Sequence, residues 1–267
     1  MPAHHTRAAD GFDLAVQTSG PDDAPVLLLL PGQANSHRWW DELRTDFEAE
    51  FRVVTFDYRG TGGSRGDRGS VADWSTVTFA SDAAEVLTSI GAGTASVYGT
   101  SMGGRVAQVL AADHPQLVHR LVLACTSPGG RNAFERSMQV RRSLADRDDA
   151  RRLQALRELF YTDGWPHDAR ASLLFGDATM TAQESRGHLL VSARHDAWER
   201  LPTITAPTLV LHGSDDLMVP TANAPLLAER IPEAQLRLIE GGRHGFFDEF
   251  REQVNPAVLS FLQGAVQ

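Results

Sequence analysis

Short apolar runs without polar alternation recur along the chain: VLLLL (26–30), FRVVTF (51–56), ASVYG (95–99), RLVLAC (120–125), PTLVLHG (207–213) and QLRLIE (235–240). A strand with one face in water alternates apolar and polar residues, so unbroken runs predict strands buried on both faces, the pattern of a parallel sheet between helices. The intervening segments carry helical spacing. Ser36 is placed to cap a helix over HRWWDELRTDFEAE, FASDAAEVLTSIGAG has apolar residues three and four apart and stops at Gly91 and Gly93, and GGRVAQVLAADHP runs to Pro115. APLLAERIP and VNPAVLSFLQ predict two further helices. Upstream, Asp10-Gly11 between two weakly alternating segments predicts a hairpin that adds antiparallel strands at the sheet edge.

One connection is out of scale. From Thr126 to Ala206 the chain spends roughly 80 residues between consecutive strands, whereas a parallel crossover can be made with a dozen or so. The excess contains helix-like pieces (MQVRRSLADRD, ARRLQALRELFY, AQESRGHLLVSARHDAWER) and no strand-like run. The expected organisation is an α/β core of residues 1–126 and 203–267, with a helical cap of residues 127–202 inserted between two strands and lying over the strand ends.

Composition narrows the function. A net charge of −9 over 267 residues argues against a nucleic-acid partner, since phosphate binders display a basic face. All 25 basic Lys+Arg side chains are arginine, which removes Schiff-base chemistry, pyridoxal phosphate attachment and a P-loop lysine together, because each needs a primary amine. The single cysteine, Cys125, has no internal disulfide partner and ends an apolar run, as a small buried hydrophobe does. The N-terminus lacks the charged start and apolar core of a secretory signal, and VLLLL is far too short to span a bilayer. These features lead to the expectation of a bacterial, cytoplasmic protein with a small-molecule partner, no membrane contact and no nucleic acid.

Chemistry concentrates in SVYGTSMGGRVAQVL (96–110), where Gly99-Thr100-Ser101-Met102-Gly103 spells GxSxG directly after a predicted strand and directly before a predicted helix. Such a turn holds a serine in a strained conformation, and the flanking glycines let strand and helix approach. The helix N-terminus beneath Ser101 offers unpaired N–H groups, so the Met102 N–H can face an oxyanion. A serine hydroxyl needs a base, and the base needs an orienting group. LVLHGSDDLMVP sets Asp215 and Asp216 just beyond one strand and LIEGGRHGFFDEF sets His244 beyond the next, all on the carboxyl edge where open parallel sheets build their sites. Spacing alone does not separate Asp215 from Asp216.

The order Ser, Asp, His in this setting resembles the α/β-hydrolase fold family across nearly the whole chain. VYGTSMGG, LVLHGSDDLMVP and GGRHGFF resemble its nucleophile, acid and histidine loops; LLLLPGQANSHRWW resembles the oxyanion loop, and VTFDYRGTGGS its Asp-x-Arg-Gly-x-Gly-x-Ser stretch. The resemblance implies Ser101 as nucleophile, His244 as base and Asp216 as acid, since the register Gly-x-x-Asp followed by Val-Pro falls on Asp216. It also implies an oxyanion hole from the backbone N–H groups of Gln33 and Met102. Here Pro31-Gly32 replaces the usual His-Gly pair, which leaves the side chains of Gln33 and Asn35 to shape the acyl pocket.

The implied activity is hydrolysis of a carboxylic ester through an acyl-enzyme, with no cofactor. The compact core, the cap and RLVLACTSPG resemble 3-oxoadipate enol-lactonases and related small esterases, so lactone opening is an alternative. Perhydrolase or C–C bond hydrolase chemistry on the same triad is another, and a slowly turning over small-molecule receptor is the rival from a different class. Ser101 argues against dehalogenation, which in this fold uses an aspartate nucleophile. His114, His119, His167 and His188 show no metal-ligand spacing, so no metal is expected. Asn35, His37, Trp39, Trp165 and His195 are the candidate substrate contacts. The cap arginines between 136 and 157 alternate with acids, as on a solvated, ion-paired helix face.

Overall fold

The computed structural model describes residues 3–66, 71–166 and 171–264. The predicted apolar runs form strands β3 (Val26–Leu30), β4 (Arg52–Phe56), β5 (Ala95–Thr100), β6 (Val118–Ala124), β7 (Thr208–Gly213) and β8 (Gln235–Ile239). The predicted hairpin supplies β1 (Ala3–Arg7) and β2 (Asp13–Ser19), and the sheet order is β1-β2-β4-β3-β5-β6-β7-β8. β1 pairs with β2 and β2 with β4 antiparallel, while every other pairing is parallel.

Alternate residues of the central strands feed two separate cores. Leu28 and Leu30 join Phe79, Val86, Val106 and Leu110 of helices α1 (Thr76–Ser89) and α2 (Met102–Asp113) on one face. Leu27 and Leu29 join Trp40, Phe47, Val258 and Phe261 on the other. This two-sided burial explains why the runs lack polar positions. β8 departs from it: as the edge strand it leaves Leu236 and Leu238 exposed.

Between β6 and β7 lie helices α3 (Met138–Leu144), α4 (Asp149–Phe160) and α5 (Ala182–Ala193), followed after β7 by α6 (Asn223–Arg230), α7 (Phe246–Glu249) and α8 (Arg251–Leu262). The Ser75 hydroxyl caps α1 by accepting from Thr78 N–H, and a Thr181–Glu184 capping box starts α5. The segment after Ser36 corrects the sequence reading. It forms two 3₁₀ turns, His37–Trp40 and Leu43–Asp46, and Ser36 makes no side-chain cap. The His37 N–H goes instead to the buried Asp57 carboxylate, 2.7 Å away. Among the described residues, no helix is long and apolar enough to cross a membrane.

Candidate active site

The turn between β5 and α2 holds Ser101 at φ 54°, ψ −117°, a left-handed conformation that costs a non-glycine residue about 1–3 kcal/mol. Its surroundings force that geometry. The Ser101 N–H donates to Ala124 O at 2.9 Å and the Thr126 hydroxyl donates to Ser101 O at 2.7 Å, which ties the turn to the end of β6. Close backbone approach demands the flanking glycines. A Cβ on Gly99 would lie 2.4 Å from Gly103 O, and one on Gly103 would lie 2.2 Å from Leu30 O and 2.6 Å from Pro31 O. The loop after β3 therefore lies against the first turn of α2.

His244 is fully buried, with Nε2 3.1 Å from Ser101 Oγ and Nδ1 2.8 Å from Asp216 Oδ2. A proton on Nδ1, held by the carboxylate, leaves Nε2 to accept from the serine hydroxyl. The end of α4 fixes the backbone of the base: His244 N–H donates to Leu159 O at 3.1 Å and Gly245 N–H to Phe160 O at 2.8 Å. The Phe160 ring meets the imidazole edge to face at 5.1 Å.

Asp216 is buried and Asp215 is exposed, and only Asp216 reaches His244. Oδ1 of Asp216 accepts from Met218 and Val219 N–H, each at 2.9 Å. Oδ2 also has His212 Nε2 at 3.3 Å, and the same nitrogen donates to Val219 O at 2.9 Å. Burial alone would raise this carboxyl, but the imidazoles of His244 and His212 outweigh it and hold Asp216 well below the usual carboxylate range. Behind the serine, burial pushes the Cys125 thiol far up, which keeps it a neutral packing group.

The loop after β3 completes the constellation. Among the described residues neither the Gln33 nor the Met102 amide N–H meets an acceptor. Ala34 stands at φ 58°, and Gly32 lacks the side chain that the Trp39 ring would otherwise strike. Asp57 organises the neighbouring turn: Oδ1 accepts from the His37 backbone and faces its Nδ1 at 2.8 Å, while Oδ2 accepts from Gly63 N–H at 2.8 Å. Arg59 reaches away from the site and forks onto buried Asp82 at 2.7 and 2.6 Å.

The structure thus brings Ser101, Asp216 and His244 together, with Gln33 and Met102 on the adjoining loop and helix. The suggested substrate contacts separate differently, because each finds an internal partner. Asn35 is buried and spans Gln33 O and Gly176 N–H, so it braces the loop. His37 is bonded to Asp57. Trp39 stacks on Phe247 at 5.4 Å, Trp165 stacks on Tyr161 at 5.8 Å, and buried His195 bonds Thr76 Oγ1 at 3.1 Å. Arg141, Arg151 and Arg152 pair with Glu135, Asp146 and Asp149. Among the described residues no three His, Cys, Asp or Glu side chains cluster as metal ligands, and His167 lies outside those residues. Sequence reasoning missed His212, four residues before Asp216, and the grip of Leu159 and Phe160 on the base. The first left a local signal in its spacing on β7; the second left none.

Residues 25–250 match the family model described as alpha/beta hydrolase fold. A protein of Caulobacter sp. (strain K31) that bears the name "Putative carbamate hydrolase RutD" is 28% identical over 271 residues, covering 96% of this chain and 97% of that protein. The esterase RhEst1 from Rhodococcus sp. ECU1013 is 26% identical with a TM-score of 0.82, covering 98% of this chain and 99% of that one. The enol-lactonase from Burkholderia xenovorans LB400 is 21% identical, has a TM-score of 0.82 and covers 97% of this chain and 100% of that one, a likeness of fold alone.

Proposed function

We propose, on the premise that this chain belongs to the alpha/beta hydrolase fold family, that it is a serine hydrolase of carboxylic esters working through a covalent acyl-enzyme. The observation that carries the reading is the unbroken hydrogen-bonded chain from Ser101 through His244 to Asp216, with the serine at positive φ. Ser101 Oγ attacks the ester carbon as His244 Nε2 takes its proton, and Asp216 keeps the Nδ1–H tautomer and steadies the imidazolium. The amide N–H groups of Gln33 and Met102 receive the oxyanion. His244 then returns the proton to the leaving alkoxide, and the same imidazole activates the water that frees the acid. Residues 127–202 serve as a helical cap over the core of residues 1–126 and 203–267, which bounds the substrate to a small molecule.

Labelling with a fluorophosphonate followed by peptide mapping tests the nucleophile. The adduct is expected on Ser101 and is lost in Ser101→Ala; an adduct on any other residue overturns the assignment. Carbamate hydrolysis is a second reading, supported by the name that relatives 28% identical across nearly the whole chain bear. Attack on a carbamate carbonyl needs the same groups. Comparing kcat/KM for a p-nitrophenyl ester and the corresponding p-nitrophenyl carbamate separates the two.

A further inference from the structure

His188 lies on α5, far in sequence from every group described above, yet its ring spans the loop after β3 and the loop after β4. Nδ1 is 3.1 Å from the Ala34 nitrogen and Nε2 is 2.9 Å from Arg59 O. The partners dictate the tautomer: a carbonyl can only accept and an amide N–H can only donate, so the proton sits on Nε2 and Nδ1 accepts from Ala34. Ala34 directly follows Gln33 and is held at φ 58°. The same turn is gripped twice more from the segment before α5, by Asp177 N–H on Ala34 O at 2.7 Å and by Gly176 N–H on Asn35 Oδ1 at 3.1 Å.

The ring has no freedom to give. It is fully buried, with Phe79 at 5.3 Å, Trp74 at 5.8 Å and Tyr58 at 6.2 Å, each edge to face. α5 can seat so closely because Gly187 lies where a Cβ would be 2.7 Å from the Trp74 ring. An ordinary core histidine needs partners for its nitrogens but has no reason to spend one on the strained residue beside a free amide.

We infer that His188 is a positioning residue that holds the Gln33–Ala34 turn so that the Gln33 N–H points at the developing oxyanion, an inference that rests on the serine-hydrolase reading. His188 touches no reacting atom. It acts through Ala34, and the free energy stored at φ 58° is released in a turned-away Gln33 when the bond is lost.

The test exploits the two ring nitrogens. An asparagine amide reaches the position of Nδ1 and a glutamine amide that of Nε2, so His188→Asn keeps an acceptor for Ala34 while His188→Gln keeps only the donor to Arg59. Steady-state hydrolysis of p-nitrophenyl acetate is measured for the wild type, both variants and Ser101→Ala, alongside thermal melting. The expected result is a kcat for H188Q at least about tenfold below wild type with KM within about twofold, a share of the roughly 10²–10³ that one oxyanion donor is worth, and a kcat for H188N recovered most of the way. Equal kcat in H188N and H188Q, or a loss carried by KM, overturns the inference and reduces His188 to core packing. Should either variant melt far below the wild type, the comparison is made at a temperature where both are folded. Wild-type turnover that survives Ser101→Ala overturns the serine-hydrolase reading, and this inference falls with it; a positional split absent in a protein that does need Ser101 overturns this inference alone.

Discussion

His188→Gln also makes the stability of the protein less sensitive to acid, by an amount that the burial of the ring sets. Burial pushes the imidazole from its ordinary 6.5 down to about 4, against the raising effect of the Arg59 carbonyl and of the Glu184 and Asp177 charges. Above about pH 6.5 the ring is neutral in the folded and the unfolded chain and has no linkage effect. Between about 6.5 and about 4 the unfolded chain takes up a proton that the folded chain refuses, so stability falls as pH falls across that window, by roughly 3 kcal/mol in all. Below it both forms are protonated and the loss levels off. Asp216, with its lowered carboxyl, acts in a different window: its contribution stands above the ordinary carboxylate range and is lost only at more acid pH. Urea unfolding of wild type and H188Q at pH of about 7.5 and about 4.5 reads the difference directly. The wild type is expected to lose roughly 2–3 kcal/mol more than the variant between the two conditions. Equal losses would refute the reasoning, because they would mean that solvent reaches the ring.

Three further outcomes follow from the geometry. Asp216→Asn removes the acceptor that fixes the Nδ1–H tautomer of His244, and kcat for an activated ester is expected to fall by about 10⁴ with the fold intact by circular dichroism; a loss under about tenfold would detach Asp216 from the chemistry. Gly103→Ala puts a methyl 2.2 Å from Leu30 O, a backbone atom that has no rotamer to escape into. It should cost about 1–3 kcal/mol by thermal unfolding and lower kcat/KM as well, and an unchanged melting temperature would deny the close approach of β3 and α2. Arg59→Met leaves Asp82 buried without its guanidinium fork, with an expected loss of about 3–5 kcal/mol in urea; a loss below about 1 would mean that water takes the place of the fork.

The strand-forming runs, the hairpin and the Ser, Asp, His sequence were legible because each is written locally. An apolar run, an Asp-Gly turn or a GxSxG between strand and helix constrains its own few residues, and parallel topology then delivers the ends to one edge. Asp216 was separable from Asp215 only through the family register; in the folded chain the reason is physical, since one is buried against two imidazoles and the other faces solvent. Tryptophans and histidines were the hardest to read. Trp39 and His195 carry both an apolar body and a polar edge, so a pocket and a core want the same residue, and here both are buried with internal partners, while Trp165 stacks on Tyr161 and stays half-buried. The bonds that hold the site in shape were the least visible. Those from Ala34 N–H to His188 Nδ1 and from Gly245 N–H to Phe160 O join residues far apart in the chain, each through at least one backbone atom, which every sequence possesses.

The carbonyls at the end of α4 give the segment between β6 and β7 a second duty. On the proposed reading, in which residues 127–202 cap the core, that segment is where a foreign loop would be grafted when a new selectivity is wanted. In this chain the graft would also remove the acceptors of the His244 and Gly245 N–H groups. On that reading selectivity and turnover are not separate modules, and a chimera that imports another hydrolase's insert is expected to keep its rate only if it carries over the Leu159–Phe160 end of α4.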